Sequence, residues 1–207
     1  MLDRFYLIVD SAEWIARLLP CGVRFVQLRI KDQPDATIRV EITEAKALCE
    51  RHGAKLVVND YWQQAIDAGC DFIHLGQSDL ATADLAAIRR AGLRLGVSTH
   101  DEAELSRALD VSPDYIALGP IYPTLLKAMA FPPQGLPRIA EWKKKIGTIP
   151  LVGIGGITLA RVAAVLEAGA DSAAVVTDIT RNADPEQRAR DWVKATREFR
   201  PLPYQNH

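Results

Sequence analysis

Cysteine, net charge and long apolar runs are all scarce in this 207-residue chain. Cys21, Cys49 and Cys70 are odd in number and show no Cys-x-x-Cys spacing. That excludes a disulfide framework and a zinc ribbon, and it reads as reduced thiols in a cytoplasmic protein. The net charge of −1 leaves no global field to draw the chain to nucleic acid or to a membrane surface. Anionic ligands must then be held by local clusters of positive groups. No apolar stretch is long enough to cross a bilayer. The chain runs at once into the strand-like Phe5–Val9 without a basic region or cleavage site, so no signal peptide is expected. The four histidines, His52, His74, His100 and His207, suggest neither a catalytic dyad nor a zinc site, and no Ser–His–Asp arrangement appears. His74 reads better as a core histidine with a satisfied hydrogen bond than as a catalytic group.

What the chain does have is alternation. Short β-branched or aromatic runs at 5–9, 25–29, 55–58, 72–75, 94–98, 115–118, 150–154 and 172–176 are separated by alanine-rich amphipathic stretches. The predicted helices lie near 12–19, 37–52, 62–68, 85–91, 102–108, 139–146, 158–168 and 185–199. The strands are too continuously apolar for a sheet with one wet face, and they suit a parallel sheet covered by helices. One unit recurs every 25 residues or so, which predicts an α/β protein of one compact domain, a (βα)8 TIM barrel below the usual size of about 250 residues. An open doubly wound sheet is the alternative the pattern leaves. The barrel is placed at 1–200, with a loosely ordered tail at 201–207. The proline-rich stretch 120–137 is long enough for a lid.

In such a barrel the chemistry gathers where the strands end. Strand periodicity puts Gln27, Arg29 and Lys31 on one face, directed into the mouth, with Leu28 and Ile30 pointing to the helices. A guanidinium and an ammonium so placed suit an anion. Asp60 and Asp79 end adjacent strands, which lie about 4.8 Å apart, so two carboxylates there can share a Mg²⁺ ion whose other ligands are water and phosphate oxygens. The alternatives are a helix N-cap for Asp60 and a turn cap for Asp79. Gly153-x-Gly155-Gly156-Ile157-Thr158 can present backbone N–H groups to a phosphate, with Val176 and Thr177 as the opposite wall.

These segments together resemble the thiamine-phosphate synthase family. The resemblance is carried by Val26–Lys31, Val58-Asn59-Asp60, His74–Asp79, Gly96–His100, Leu118–Thr124 with Lys127, and Gly153–Ile157, in the family's order and across nearly the whole chain. It implies a Mg²⁺-dependent transferase that joins an aminopyrimidine-methyl diphosphate to a hydroxyethyl-thiazole phosphate and releases pyrophosphate through a pyrimidine carbocation. Gln27, Arg29, Lys31, Asn59, Ser98 and Lys127 are then expected around the pyrimidine diphosphate, with Arg29, Lys31, Ser98 and Lys127 catalytic. Asp60 and Asp79 are expected on the metal, and Thr124, Gly156, Val176 and Thr177 around the thiazole phosphate. Leu126 stands at that site where the family usually has a threonine. Small molecules are the expected partners, and a homodimer is compatible with the resemblance. A thiazole tautomerase of the same superfamily is disfavoured by Pro120, where that branch tends to carry histidine, and by the paired aspartates. A non-catalytic barrel that binds thiamine precursors is encouraged by Leu126 alone.

Overall fold

The computed structural model describes residues 2–124 and 131–200. The eight strands are β1 (Phe5–Val9), β2 (Phe25–Leu28), β3 (Lys55–Asn59), β4 (Phe72–Leu75), β5 (Arg94–Thr99), β6 (Tyr115–Leu118), β7 (Leu151–Ile154) and β8 (Ser172–Val175). Every neighbouring pair is parallel, and β8 pairs with β1, so the sheet closes into the expected barrel and the doubly wound alternative falls away. The helices are α1 (Ala12–Leu18), α2 (Asp35–His52), α3 (Trp62–Asp67), α4 (Gln77–Leu80), α5 (Leu85–Arg90), α6 (Glu102–Asp110), α7 (Gly135–Ile146), α8 (Val162–Glu167), α9 (Thr177–Thr180) and α10 (Pro185–Glu198).

Local chemistry explains the element ends. In α2 the buried residues Ile38, Ile42, Ala45 and Cys49 recur at helical spacing, and Gly53 closes the helix in the left-handed conformation at φ 63°. Asp101 caps α6 by accepting from the Glu104 N–H, and Asp184 caps α10 by accepting from Gln187. Two expected helix starts move. α7 begins at Gly135 rather than 139, since 135–138 already continue its turns. α8 begins at Val162 rather than 158, because 158–161 form a turn in which the Thr158 carbonyl accepts from both Arg161 and Val162. The four-residue α4 and α9 have no counterpart in the sequence reading, since one turn is too short to show helical periodicity.

Two cores result. One lies between barrel and helices and is lined by the strand residues that face outward, Val26, Leu28, Ala173 and Val175 among them, with Ile30 just beyond β2. The other fills the lumen with Tyr6, Ile8, Phe25, Val57, Phe72, Tyr115, Ala117, Val152 and Ala174. Phe25 meets Tyr6 at 4.1 Å and Phe72 at 5.8 Å between ring centroids, so aromatic rings plug the barrel. Two residues further along their strands, on the same inward face, stand Gln27, Asn59, His74 and Ser98. Strand alternation thus places a polar layer directly above the aromatic plug.

Candidate active site at the barrel mouth

The polar layer is wired. The Gln27 amide Nε2 donates to the Tyr6 hydroxyl at 2.8 Å. The Tyr6 and Tyr115 hydroxyls share a hydrogen bond of 2.9 Å, and Tyr115 meets His74 Nδ1 at 2.9 Å. His74 Nε2 lies 2.8 Å from Ser98 Oγ. Burial pushes the His74 pKa down to about 4, and the nearby Arg29 charge pushes the same way, so the imidazole is neutral at neutral pH. His74 is therefore the satisfied core histidine expected. Tyr6 and Tyr115 are raised far above the ordinary phenol range by burial and stay protonated.

Above this layer stand the charged groups. Lys31 Nζ lies 2.6 Å from Asp60 Oδ2, joining the ends of β2 and β3. Asp60 holds φ 65°, a left-handed backbone unusual outside glycine. It is not a helix cap: the capping position of α3 is Tyr61, and no side chain caps that helix. Asp79 sits in the first turn of α4 and accepts from the Ser78 hydroxyl at 3.3 Å; it is not a turn cap, since the capping position of α4 is Gly76 and no side chain caps that helix. No group of three or more metal-ligating side chains occurs among the described residues. A carboxylate just after β3 and a second in the helical turn that follows β4 are the hard oxygen donors a Mg²⁺ ion takes when water and a diphosphate supply its remaining ligands. Arg29 is exposed, and no ion pair among the described residues involves it.

The β6 and β7 loops dock onto each other. Ile121 N–H donates to the Ile154 carbonyl at 2.8 Å, and Tyr122 N–H donates to Gly155 at 3.0 Å. Gly155 and Gly156 both have positive φ, and a Cβ on Gly156 would stand 2.4 Å from the Pro123 carbonyl oxygen, so only glycine fits there. This sets Tyr122 and Pro123 of the β6 loop against Gly156, with Thr124 next in the chain. Arg161 clamps the pair: its guanidinium donates to the Gly156 carbonyl at 2.7 Å and lies over the Tyr122 ring at 4.5 Å. Val176 and Thr177 open α9 on the adjacent strand. Asp178 ties that turn to the β7 loop. It accepts from Leu159 N–H at 3.1 Å, from Trp192 at 2.7 Å and from Arg188 through both carboxylate oxygens at 3.0 Å. Burial raises its pKa, but these bonds outweigh burial and hold it below the usual carboxylate value.

Among the described residues, those expected at the diphosphate end therefore lie at and just beyond the ends of β2, β3 and β5, and those expected at the phosphate end sit on the β6, β7 and β8 loops. Lys127 and Leu126, with the middle of the expected lid at 125–130, lie outside the described residues, as does the tail 201–207. The sequence reading missed Tyr6, Tyr115 and Asp178. Register supplied the missing signal for Tyr115, which pairs with Gly96, the one residue type that leaves an inward tyrosine room.

Comparison with known proteins gives concordant results. Residues 5–179 match the family described as "Thiamine monophosphate synthase". The chain is 63% identical over 201 residues to a "Thiamine-phosphate synthase" of Rhizobium etli, covering 97% of this chain and 98% of the relative. It is 53% identical over 197 residues to the protein of that name from Serratia proteamaculans, covering 95% and 90%. Among solved structures, a thiamine phosphate pyrophosphorylase from Pyrococcus furiosus superposes with a TM-score of 0.85 at 25% identity, covering 95% of this chain and 96% of its own.

Proposed function

We propose, from the premise that the chain belongs to the thiamine monophosphate synthase family, how its barrel mouth carries out the transferase reaction of a thiamine-phosphate synthase. The substrates are an aminopyrimidine-methyl diphosphate and a hydroxyethyl-thiazole phosphate, and the reaction takes place in the cytoplasm. The observation that carries the reading is the Lys31–Asp60 pair at 2.6 Å, which sets a cation and an anion side by side at the rim above a neutral polar layer. A diphosphate needs the cation, and its Mg²⁺ counter-ion needs the carboxylate.

Gln27, Asn59 and Ser98 hold the pyrimidine end, and Arg29, Lys31 and Lys127 surround the diphosphate. Asp60 and Asp79 would hold the Mg²⁺, which supplies further neutralisation of the leaving group's charge when bound. The amino group of the pyrimidine feeds electrons to the exocyclic methylene, so the C–O bond to the diphosphate breaks with its electron pair leaving on pyrophosphate. The thiazole nitrogen lone pair then forms the new C–N bond. No protein nucleophile takes part, in keeping with a site of cations, hydroxyls and amides. The protein's contribution is orientation of two rings and stabilisation of developing charge. Thr124, Leu126, Gly156, Val176 and Thr177 surround the thiazole phosphate.

The test is to mix purified protein with both substrates, with and without Mg²⁺. Thiamine phosphate and pyrophosphate in equal amounts, dependent on Mg²⁺, are expected. Tight binding of either precursor with no product would overturn the reading.

A further inference from the structure

We propose that Tyr115 and His74 are positioning residues that fix the direction in which the Ser98 hydroxyl donates. The proposal rests on the synthase reading for its kinetic consequence, but not for its structural core.

Each hydroxyl and ring nitrogen along the buried chain from Gln27 to Ser98 has a fixed number of protons to place. Gln27 Nε2 donates to the Tyr6 oxygen. Tyr6 is fully buried, and its one remaining partner among the described residues is Tyr115, so its single proton goes to the Tyr115 oxygen. Tyr115 has then accepted once, and its own proton goes to His74 Nδ1. A neutral imidazole with an acceptor at Nδ1 carries its proton on Nε2, which donates to Ser98 Oγ. Any other arrangement with Gln27 as donor leaves a buried hydroxyl proton without an acceptor, which costs free energy. Ser98 is thus an acceptor towards the interior, and its own proton is free for the mouth, where its side chain is partly exposed. A hydroxyl so directed can donate to a diphosphate oxygen or to a ring nitrogen of the pyrimidine. If the chain is cut at Tyr115, His74 Nδ1 loses its donor. The imidazole can then take its proton there, and Ser98 turns inward to donate to Nε2. The hydroxyl proton is lost to the substrate although no residue touching substrate has changed.

The polarity also makes the two tyrosines unequal. Removing the Tyr6 hydroxyl leaves Tyr115 still donating to His74, so Ser98 keeps its orientation. Removing the Tyr115 hydroxyl does not.

The test uses the full chain. Nitrogen-15 spectra of the imidazole at neutral pH should show His74 as the Nε2–H tautomer in the ligand-free protein and a shift towards Nδ1–H in Tyr115→Phe. A wild-type Nδ1–H tautomer overturns the proposal. Kinetically, Tyr115→Phe should lower kcat on the order of 10-fold while both KM values stay within about 2-fold, as expected for an interaction expressed in the transition state. In a Ser98→Ala background the same substitution should cost nothing more, because its effect passes through Ser98. An equal loss in both backgrounds overturns the proposal, as does a larger fall in kcat for Tyr6→Phe than for Tyr115→Phe. If the wild-type protein makes no thiamine phosphate, the synthase reading fails, and the nitrogen-15 spectra still decide the polarity of the chain.

Discussion

Gly96 and Tyr115 face each other across the β5–β6 register, and the tyrosine ring fills the space that a side chain at Gly96 would take. A Cβ on Gly96 would lie 2.0 Å from Tyr115 Cζ and 2.4 Å from its hydroxyl oxygen. Gly96→Ala therefore forces the ring away from its place between Tyr6 and His74. Overpacking of this kind costs about 1–3 kcal/mol, readable as a lower midpoint in thermal or urea unfolding. The displaced hydroxyl should also lower synthase activity. Gly96→Ala combined with Tyr115→Leu should regain part of the stability and none of the activity. Full recovery of turnover in the double variant would show that the Tyr115 hydroxyl has no role.

His74 makes stability depend on pH in a stated direction. Burial, and then the Arg29 charge, lower its pKa from 6.5 to about 4 in the folded protein. Between these values the unfolded chain binds a proton that the native state refuses, so stability is full above pH 6.5 and falls as pH drops towards 4. The loss across this window is about 3 kcal/mol. Urea unfolding at pH 7, 5.5 and 4 should show that slope in the wild type and a flatter one in His74→Gln. Parallel slopes in the two proteins would contradict it.

The fold was largely legible because each strand is buried on both faces and each helix carries an apolar stripe, patterns that survive in a single sequence. The same alternation places Gln27 on the inner face, where it meets Tyr6, and the buried Leu28 on the outer one, while Arg29 and Lys31 follow beyond the end of β2. What was not legible depends on partners distant in sequence. Tyr6 and Tyr115 are 109 residues apart, and nothing local in either strand announces their shared hydrogen bond. Nothing local singles out Asp178 after β8; Arg188 and Trp192, ten and fourteen residues on, make it a buried junction.

That junction gives a second stability prediction. Asp178 is nearly buried, and it accepts from Leu159 of the β7 loop and from both Arg188 and Trp192 of α10. Asp178→Asn keeps the shape but loses the charge facing Arg188 and one acceptor oxygen. Removing one member of a buried ion pair costs about 3–5 kcal/mol, and the amide should retain some of this. Because the folded pKa is depressed below 3.8, the stabilisation is present above that value and is lost as pH falls through the folded pKa. Acid unfolding of the variant should accordingly be less steep below pH 3.8. The KM for the thiazole phosphate should rise more than that for the pyrimidine diphosphate, since Asp178 braces Leu159 and α9, the segments that adjoin Gly156, Val176 and Thr177, whereas the Lys31–Asp60 pair joins the ends of β2 and β3. Equal changes in both KM values would instead indicate general loosening.

Asp60 offers the cleanest separation of metal from fold. Its left-handed backbone at φ 65° is one that asparagine adopts as readily as aspartate, so Asp60→Asn should keep the turn and the unfolding midpoint. The variant loses the charge that pairs with Lys31 and, on the proposed function, one of two Mg²⁺ ligands. Loss of even an outer partner of a metal commonly costs about 10-fold in affinity, so the Mg²⁺ concentration for half-maximal activity should rise by at least that factor. Calorimetric titration of Mg²⁺ into protein with inorganic pyrophosphate reads the same quantity without turnover. Lys31→Met is the control: it breaks the same ion pair but removes no metal ligand, so it should raise the KM for the diphosphate and leave the Mg²⁺ titration in place. An unchanged titration in Asp60→Asn would take Asp60 out of the metal site and leave it as the ion-pair partner of Lys31 alone.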